Sequence, residues 1–133
     1  MFSNIKTSKA NKEIVTSLTN KLALGTENVI ARIALAYSLS KDRVLNLNSI
    51  MDAGGKEYSA KVLFGDYTDY YIALISLHYD IYSTDRDIPR YVKMHVDDGL
   101  SLLNDEFQIN TNVTGFEFIA SKIDFLNVIE AGK

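Results

Sequence analysis

The sequence predicts a mainly α-helical protein, and three observations carry that prediction. Residues 9 to 39 read as two unequal helices joined by a Leu-Ala-Leu-Gly-Thr turn, the first amphipathic and lysine-bearing, the second apolar almost all round. An aromatic helical stretch begins near Tyr67 and a longer one follows Pro89. A Thr-x-x-Glu signature at residues 114 to 117 then opens a fifth helix.

In chain order, Phe2 to Thr7 reads as extended and Ser8 as an N-cap. Ala10, Ile14, Leu18 and Leu22 recur at four-residue spacing, so one stripe of helix 1 faces a core. Lys9, Lys12 and Thr16, at i, i+3 and i+7, form a solvent-facing ridge on the other side. Gly25 permits a tight exit, Thr26 caps helix 2, and Glu27 suits the positive end of its dipole. Helix 2 runs to about Leu39 and is ended by Ser40, Lys41 and Asp42. A helix with no wet face is covered by its own domain or by another copy, which points to an oligomer.

Residues 43 to 65 lack helical periodicity, and Asp52-Ala53-Gly54-Gly55 marks a turn within an irregular or partly extended segment. So long a connection in a compact domain packs or functions. Helix 3 carries Tyr70, Tyr71, Ile72, Leu74, Ile75, Leu77 and Tyr79, a density of aromatics that suits a core or an interface. Asp85 to Pro89 separates it from helix 4, with Asp87 as N-cap and Pro89 in the first turn. Tyr91, Met94, Val96, Leu100, Leu102 and Leu103 form that helix's apolar side. Phe116, Ile119, Ile123, Leu126 and Val128 belong to helix 5, in a C-terminal extension over residues 105 to 133.

One domain is the expectation for 133 residues. The absence of cysteine excludes disulfides, thiolate catalysis and zinc-cysteine sites within the chain, in keeping with a reducing cytoplasm. Nothing near Met1 has the form of a signal peptide, and no apolar run approaches the roughly 18 residues that span a bilayer. The net charge of -3 is unevenly spread: residues 1 to 62 hold nine Lys/Arg against five Asp/Glu, a balance of +4, and residues 63 to 133 hold five against twelve, a balance of -7. The first half therefore suits an anionic partner.

Catalytic chemistry has little support. His78 near Asp80 and His95 near Asp98 meet no specific ligand spacing, so structural or surface roles are expected for both. Gly54-Gly55-Lys56 lacks the spacing and following helix of a nucleotide loop, and no cofactor or metal is expected. Arg32 is the one charge within the apolar run of helix 2; it either pairs across an interface with an acid such as Asp97 or Asp98 or snorkels to the surface. Tyr67, Tyr70, Tyr71 and Tyr79 fit core or subunit packing better than base stacking, because Asp66, Asp69 and Asp80 nearby repel phosphate.

Three blocks in order, TENVIARIALAYSLS, GKEYSAKVLFGDYTDYYIALI and YVKMHVDDGLSLL, resemble the DndE family of bacterial DNA sulfur-modification (phosphorothioation) systems, over about residues 5 to 104. The resemblance implies a ribbon-helix-helix-like N-terminal unit within a small helical bundle, self-association as a dimer or tetramer, and no enzymatic activity. It also implies binding to DNA, nicked duplex in particular, beside the sulfur-transfer and ATPase subunits. Surface lysines would make the contact, and the positions here that could serve are Lys6, Lys9, Lys12 and Lys21, with Lys41, Arg43 and Arg32 as further candidates and the Thr16 hydroxyl beside them on the ridge. Phe2, Asn4 and Lys6 would share one strand face and Ser3, Ile5 and Thr7 the other, and neither forms a base-reading surface. Two alternatives stand beside this reading: an adaptor that docks the sulfur-transfer and ATPase subunits through its acidic helices, and a ribbon-helix-helix transcriptional regulator.

Overall fold

The structure, a computed structural model, describes residues 2–109 and 115–121. It is mainly α: strand β1 (Asn4–Lys6), helices α1 (Lys9–Leu22) and α2 (Glu27–Ser40), strand β2 (Glu57–Ser59), then α3 (Ala60–Phe64), α4 (Thr68–Tyr79), α5 (Ile88–Ile109) and α6 (Gly115–Ser121). The N-terminal order strand, helix, helix is that of a ribbon-helix-helix unit. The ribbon, however, is made within one chain: β1 pairs antiparallel with β2, with Ile5 opposite Tyr58 and Lys6 opposite Glu57. Residues 43 to 56 make this possible by bringing the chain back beside its own start.

Ser8 caps α1, its Oγ accepting from the Asn11 amide. The buried stripe of α1 is Asn11, Val15, Leu18 and Leu22, rotated by one residue from the predicted stripe in its first two turns. Ala10 is exposed and Ile14 half-buried, because Asn11 is drawn inward by hydrogen bonds to Asp97 of α5. The helix ends on Ala23 in the left-handed region, two residues before Gly25. Thr26 occupies the N-cap position of α2, yet its hydroxyl meets the Asn28 side chain and makes no cap.

Helix α2 is covered by its own chain: it lies along α5 and is flanked by α1 and α3. Its buried residues are Ile30, Ala31, Ala34, Leu35, Tyr37 and Ser38. Of the two covers expected for its apolar surface, the rest of the domain and a second copy, the domain itself supplies the one over these residues. The close packing depends on Gly99 of α5, where a Cβ would stand 1.8 Å from the Ala34 carbonyl oxygen. Helix α5 is the central element, with Val92, Val96, Leu100 and Leu103 fully buried.

The long connection is pinned rather than loose. Asp52 accepts from the amides of Lys9 and Gly54, each at 2.9 Å, and these bonds hold its carboxyl below the usual aspartate range. The Gly55 amide donates to the Thr7 carbonyl at 2.9 Å, extending the β1–β2 ladder. A Cβ at Gly55 would lie 2.2 Å from the Ser8 carbonyl oxygen, so only glycine permits that approach. Buried Lys93 joins this turn to α5, donating to the Asp52 carbonyl and to Asp97, each at 2.8 Å.

Helix α6 sits on α1, with Phe118 edge-on to Phe107 of α5. Thr114, the first residue of the expected capping box, and Ile123, Leu126 and Val128 lie outside the described residues. No helix of the described residues is long and apolar enough to cross a membrane.

Candidate nucleic-acid interface

Helix α1 presents Lys9, Lys12 and Thr16 on one exposed side, as the i, i+3, i+7 spacing requires, and Lys21 is exposed in its last turn. Lys12, Thr16 and Lys21 line a shallow groove of about 450 Å3 together with Glu13, Ser17, Asn20 and Lys56. Lys9 and Lys12 border a second depression at the start of the helix. Lys56 had not been singled out from the sequence as a contact. Its place is set by the strand pairing: its amide donates to Thr7 Oγ1 at 3.0 Å and its carbonyl accepts from the Thr7 amide at 2.9 Å. Gly54-Gly55 followed by Lys56 and Tyr58 in alternation was the available sequence signal, but the partner strand lies about 50 residues away.

Two carboxylates enter this face: Glu13, exposed on α1 between the two depressions, and Glu27. Glu27 Oε1 accepts from the Thr16 hydroxyl at 3.0 Å, and Oε2 stands 3.6 Å from the Lys56 ammonium. Tyr58 lies behind it, and burial, with the Glu27 charge added, pushes its hydroxyl up to about 12.

The other predicted contacts are not brought into the groove. Lys6 is exposed on β1 opposite Glu57. Lys41 Nζ sits 5.1 Å above the Tyr37 ring, a cation–π contact. Arg43 pairs with Asp98, Nε to Oδ2, at 2.8 Å. Arg32 neither pairs with Asp97 or Asp98 nor runs free to the surface. Its Nε donates to the Leu63 carbonyl at 2.6 Å, satisfying a backbone acceptor at the end of α3.

The aromatic residues divide into two groups. Tyr71 stacks on Phe64 and Tyr79 on Tyr91, with ring centroids 4.6 and 3.8 Å apart. Tyr70 and Leu77 of α4, with Tyr67 just before its first residue, instead point outward, at 61, 81 and 64 % exposure. Exposed Asp66, Asp69 and Asp80 flank this apolar stripe.

The histidines belong to a hydrogen-bonded interior. The Leu45 amide donates to the Tyr79 hydroxyl, Tyr79 meets His95 Nε2, His95 Nδ1 meets the Ser38 hydroxyl, and Ser38 donates to Asp98. Because Ser38 gives its proton to Asp98, Nδ1–H donates to Ser38, and a neutral ring then accepts at Nε2 from the Tyr79 hydroxyl. His95 is therefore neutral, and burial followed by the nearby His78 and Arg43 charges lowers it to about 4, against an opposing pull from Asp98. Above the unfolded value near 6.5 both states carry neutral His95; between 6.5 and about 4 only the unfolded chain takes up the proton. Stability is expected to fall as pH drops through that window, and urea midpoints at pH 7 and pH 4.5 should show the loss diminished in His95→Gln. Among the described residues no group of three His, Asp or Glu side chains is placed to hold a metal.

Comparison with known proteins agrees with this architecture. A crystal structure of DndE from Escherichia coli B7A, described as involved in DNA phosphorothioation modification, superposes with a TM-score of 0.63. The two are 15% identical, with 77% of this chain and 98% of that chain covered, so this likeness bears on the fold. The comparison with curated proteins gives no match. The family model for DNA sulphur modification protein DndE matches residues 4–111, a span that includes β1, the lysine ridge of α1, the whole of α2 and the buried run of α5, and the chain belongs to that family.

Proposed function

We propose that this chain is a non-catalytic, DNA-binding accessory protein of bacterial DNA phosphorothioate modification, acting in the cytoplasm as a homo-oligomer on the backbone of nicked duplex. The observation that supports the reading best is the grouping of Lys9, Lys12, Thr16, Lys21 and Lys56 along one exposed face. Each lysine that neutralises a phosphate releases condensed counterions, and binding gains strength with the number of contacts. One subunit supplies only a few, and its second half is acidic, so assembly that repeats the face is what makes the affinity useful. Lys6, Lys41 and Arg43 are outer contributors: Lys41 and Arg43 already engage Tyr37 and Asp98 and act mainly through their field.

Charge reversal tests this directly. Lys12→Glu combined with Lys21→Glu is expected to weaken duplex binding and to flatten the dependence of log K on log salt by about 1.8. Unchanged affinity and slope in a salt titration would remove the groove from the account.

A second reading is favoured by α4. Its outward apolar stripe with an acidic edge suits a protein contact, either with a second copy or as an adaptor surface for the sulfur-transfer and ATPase subunits. Co-purification with those subunits after the α1 lysines are neutralised would favour the adaptor. A ribbon-helix-helix regulator has less support, because β1 is paired with β2 of its own chain and Asn4 on its exposed face is bonded to Glu57.

A further inference from the structure

We propose that Thr16 and Lys56 form a phosphate-binding point in the α1 groove, and that Glu27 occupies it in the free protein as a built-in competitor. The inference rests on the DNA-binding reading and assigns it one specific contact and one regulator.

The Thr16 hydroxyl and the Lys56 ammonium converge on a single carboxylate, at 3.0 and 3.6 Å, on a wall that also carries Lys12 and Lys21. A hydroxyl donor and an ammonium that together hold two anionic oxygens are equally suited to the two non-bridging oxygens of a phosphodiester. The backbones that carry both donors are held independently of Glu27, and the Thr16 hydroxyl also lies 3.2 Å from the Lys12 carbonyl as a second acceptor. Thr16 lies in the middle of α1, and the backbone of Lys56 is fixed by its paired bonds to Thr7. The two side chains therefore stay rooted beside each other when the carboxylate leaves, and the Lys56 ammonium is released to meet another anion.

Glu27 also has a place to go. As the first residue of α2 it lies at the positive end of that helix, so its charge remains favoured without Lys56. Its link to Lys56 is the looser of its two contacts and is partly solvated, the kind of ion pair that contributes little to stability. A phosphate that displaces it gains an ammonium at small cost to the fold. While Glu27 stays, it removes one cation from the groove and adds one negative charge beside Lys12 and Lys21.

The test is Glu27→Gln in the full chain, with binding to a 30-base-pair duplex followed by fluorescence anisotropy at two salt concentrations. Gln keeps an acceptor for Thr16, and thermal melting followed by circular dichroism verifies the fold. The variant is expected to bind roughly tenfold tighter in 0.1 M salt, with the slope of log K against log salt steeper by about 0.9, the increment of one added phosphate contact. Lys56→Gln is expected to change little by itself and to abolish the gain when combined with Glu27→Gln. If Glu27→Gln leaves affinity and slope unchanged while Lys12→Glu with Lys21→Glu weakens binding, the competitor is overturned and the DNA-binding reading stands. If the gain survives in the double variant, Lys56 is not the contact and the proposed point is overturned. A wild-type chain with no salt-dependent binding overturns the reading itself.

Discussion

Asp97→Ala is expected to destabilise the protein by about 3–5 kcal/mol, lowering the thermal midpoint by roughly 10–20 °C. The side chain is 3% exposed and accepts from three donors: the Ser8 amide at 3.0 Å, Asn11 Nδ2 at 2.7 Å and Lys93 Nζ at 2.8 Å. Removing it leaves a buried ammonium without its counter-charge and a buried helix-start amide without its acceptor, and each omission costs more than the lost bond. Asp97→Asn keeps an acceptor for one of the neutral donors but not the charge, and should fall between. The same carboxylate joins α5 to the start of α1, and Lys93 continues the link to residue 52, so the first turn of the lysine-bearing helix is expected to fray with it. Hydrogen exchange at the amides of residues 9 to 12 reads this out. A melting loss without faster exchange there would place the damage elsewhere.

Gly99→Ala is the second large effect, about 3 kcal/mol, at the upper end of what overpacking costs. The obstructing atom is the Ala34 carbonyl oxygen, a backbone atom that no rotamer change can move. Two variants separate this cause from general glycine effects. Ala34→Gly should not rescue Gly99→Ala, because the clash is with the main chain. Gly65→Ala should cost about 1–3 kcal/mol with no packing loss, since its Cβ meets nothing within 4 Å and only the positive-φ backbone (φ 56°, ψ −131°) opposes it. Urea denaturation of the three variants decides the matter.

Much of the helical framework was legible from local chemistry. Ser8 as cap, the span of α1 and the N-terminal boundary of α2 at Thr26 follow from capping residues and apolar spacing, and the structure places them there; the break expected over Asp85 to Pro89 opens earlier, with α4 ending at Tyr79 and α5 starting at Ile88. The lysine ridge was legible for the same reason, because i, i+3 and i+7 on an amphipathic helix share a face whatever else the chain does.

What was not legible depends on distant partners. Strand β2 has three residues and acquires its meaning only from β1, so the 43 to 65 segment read as irregular although it also holds α3. The central role went to α2 on hydropathy, whereas α5 is the helix packed on all sides; its buried Lys93, His95 and Asp97 look like surface residues until their partners are known. Gly99 in mid-helix was the overlooked sign of close helix contact. Within the candidate site, Lys56 and the placement of Glu27 between it and Thr16 depend on the same long-range pairing, as does the separation of Arg43 from the groove by its bond to Asp98. Helix spacing therefore predicts half of the cationic face, and the other half is created by the return of residues 54 to 57 to the N-terminus.

The central claim, that an assembled lysine face holds the backbone of nicked duplex, is tested most directly by one mobility-shift comparison. Intact, nicked and single-stranded DNA of equal length are titrated at two salt concentrations with protein whose oligomeric mass has been measured. The account predicts an oligomer that binds nicked duplex more tightly than either other form and loses affinity steeply with salt. A monomer, or equal binding to all three forms, or binding indifferent to salt, would contradict it.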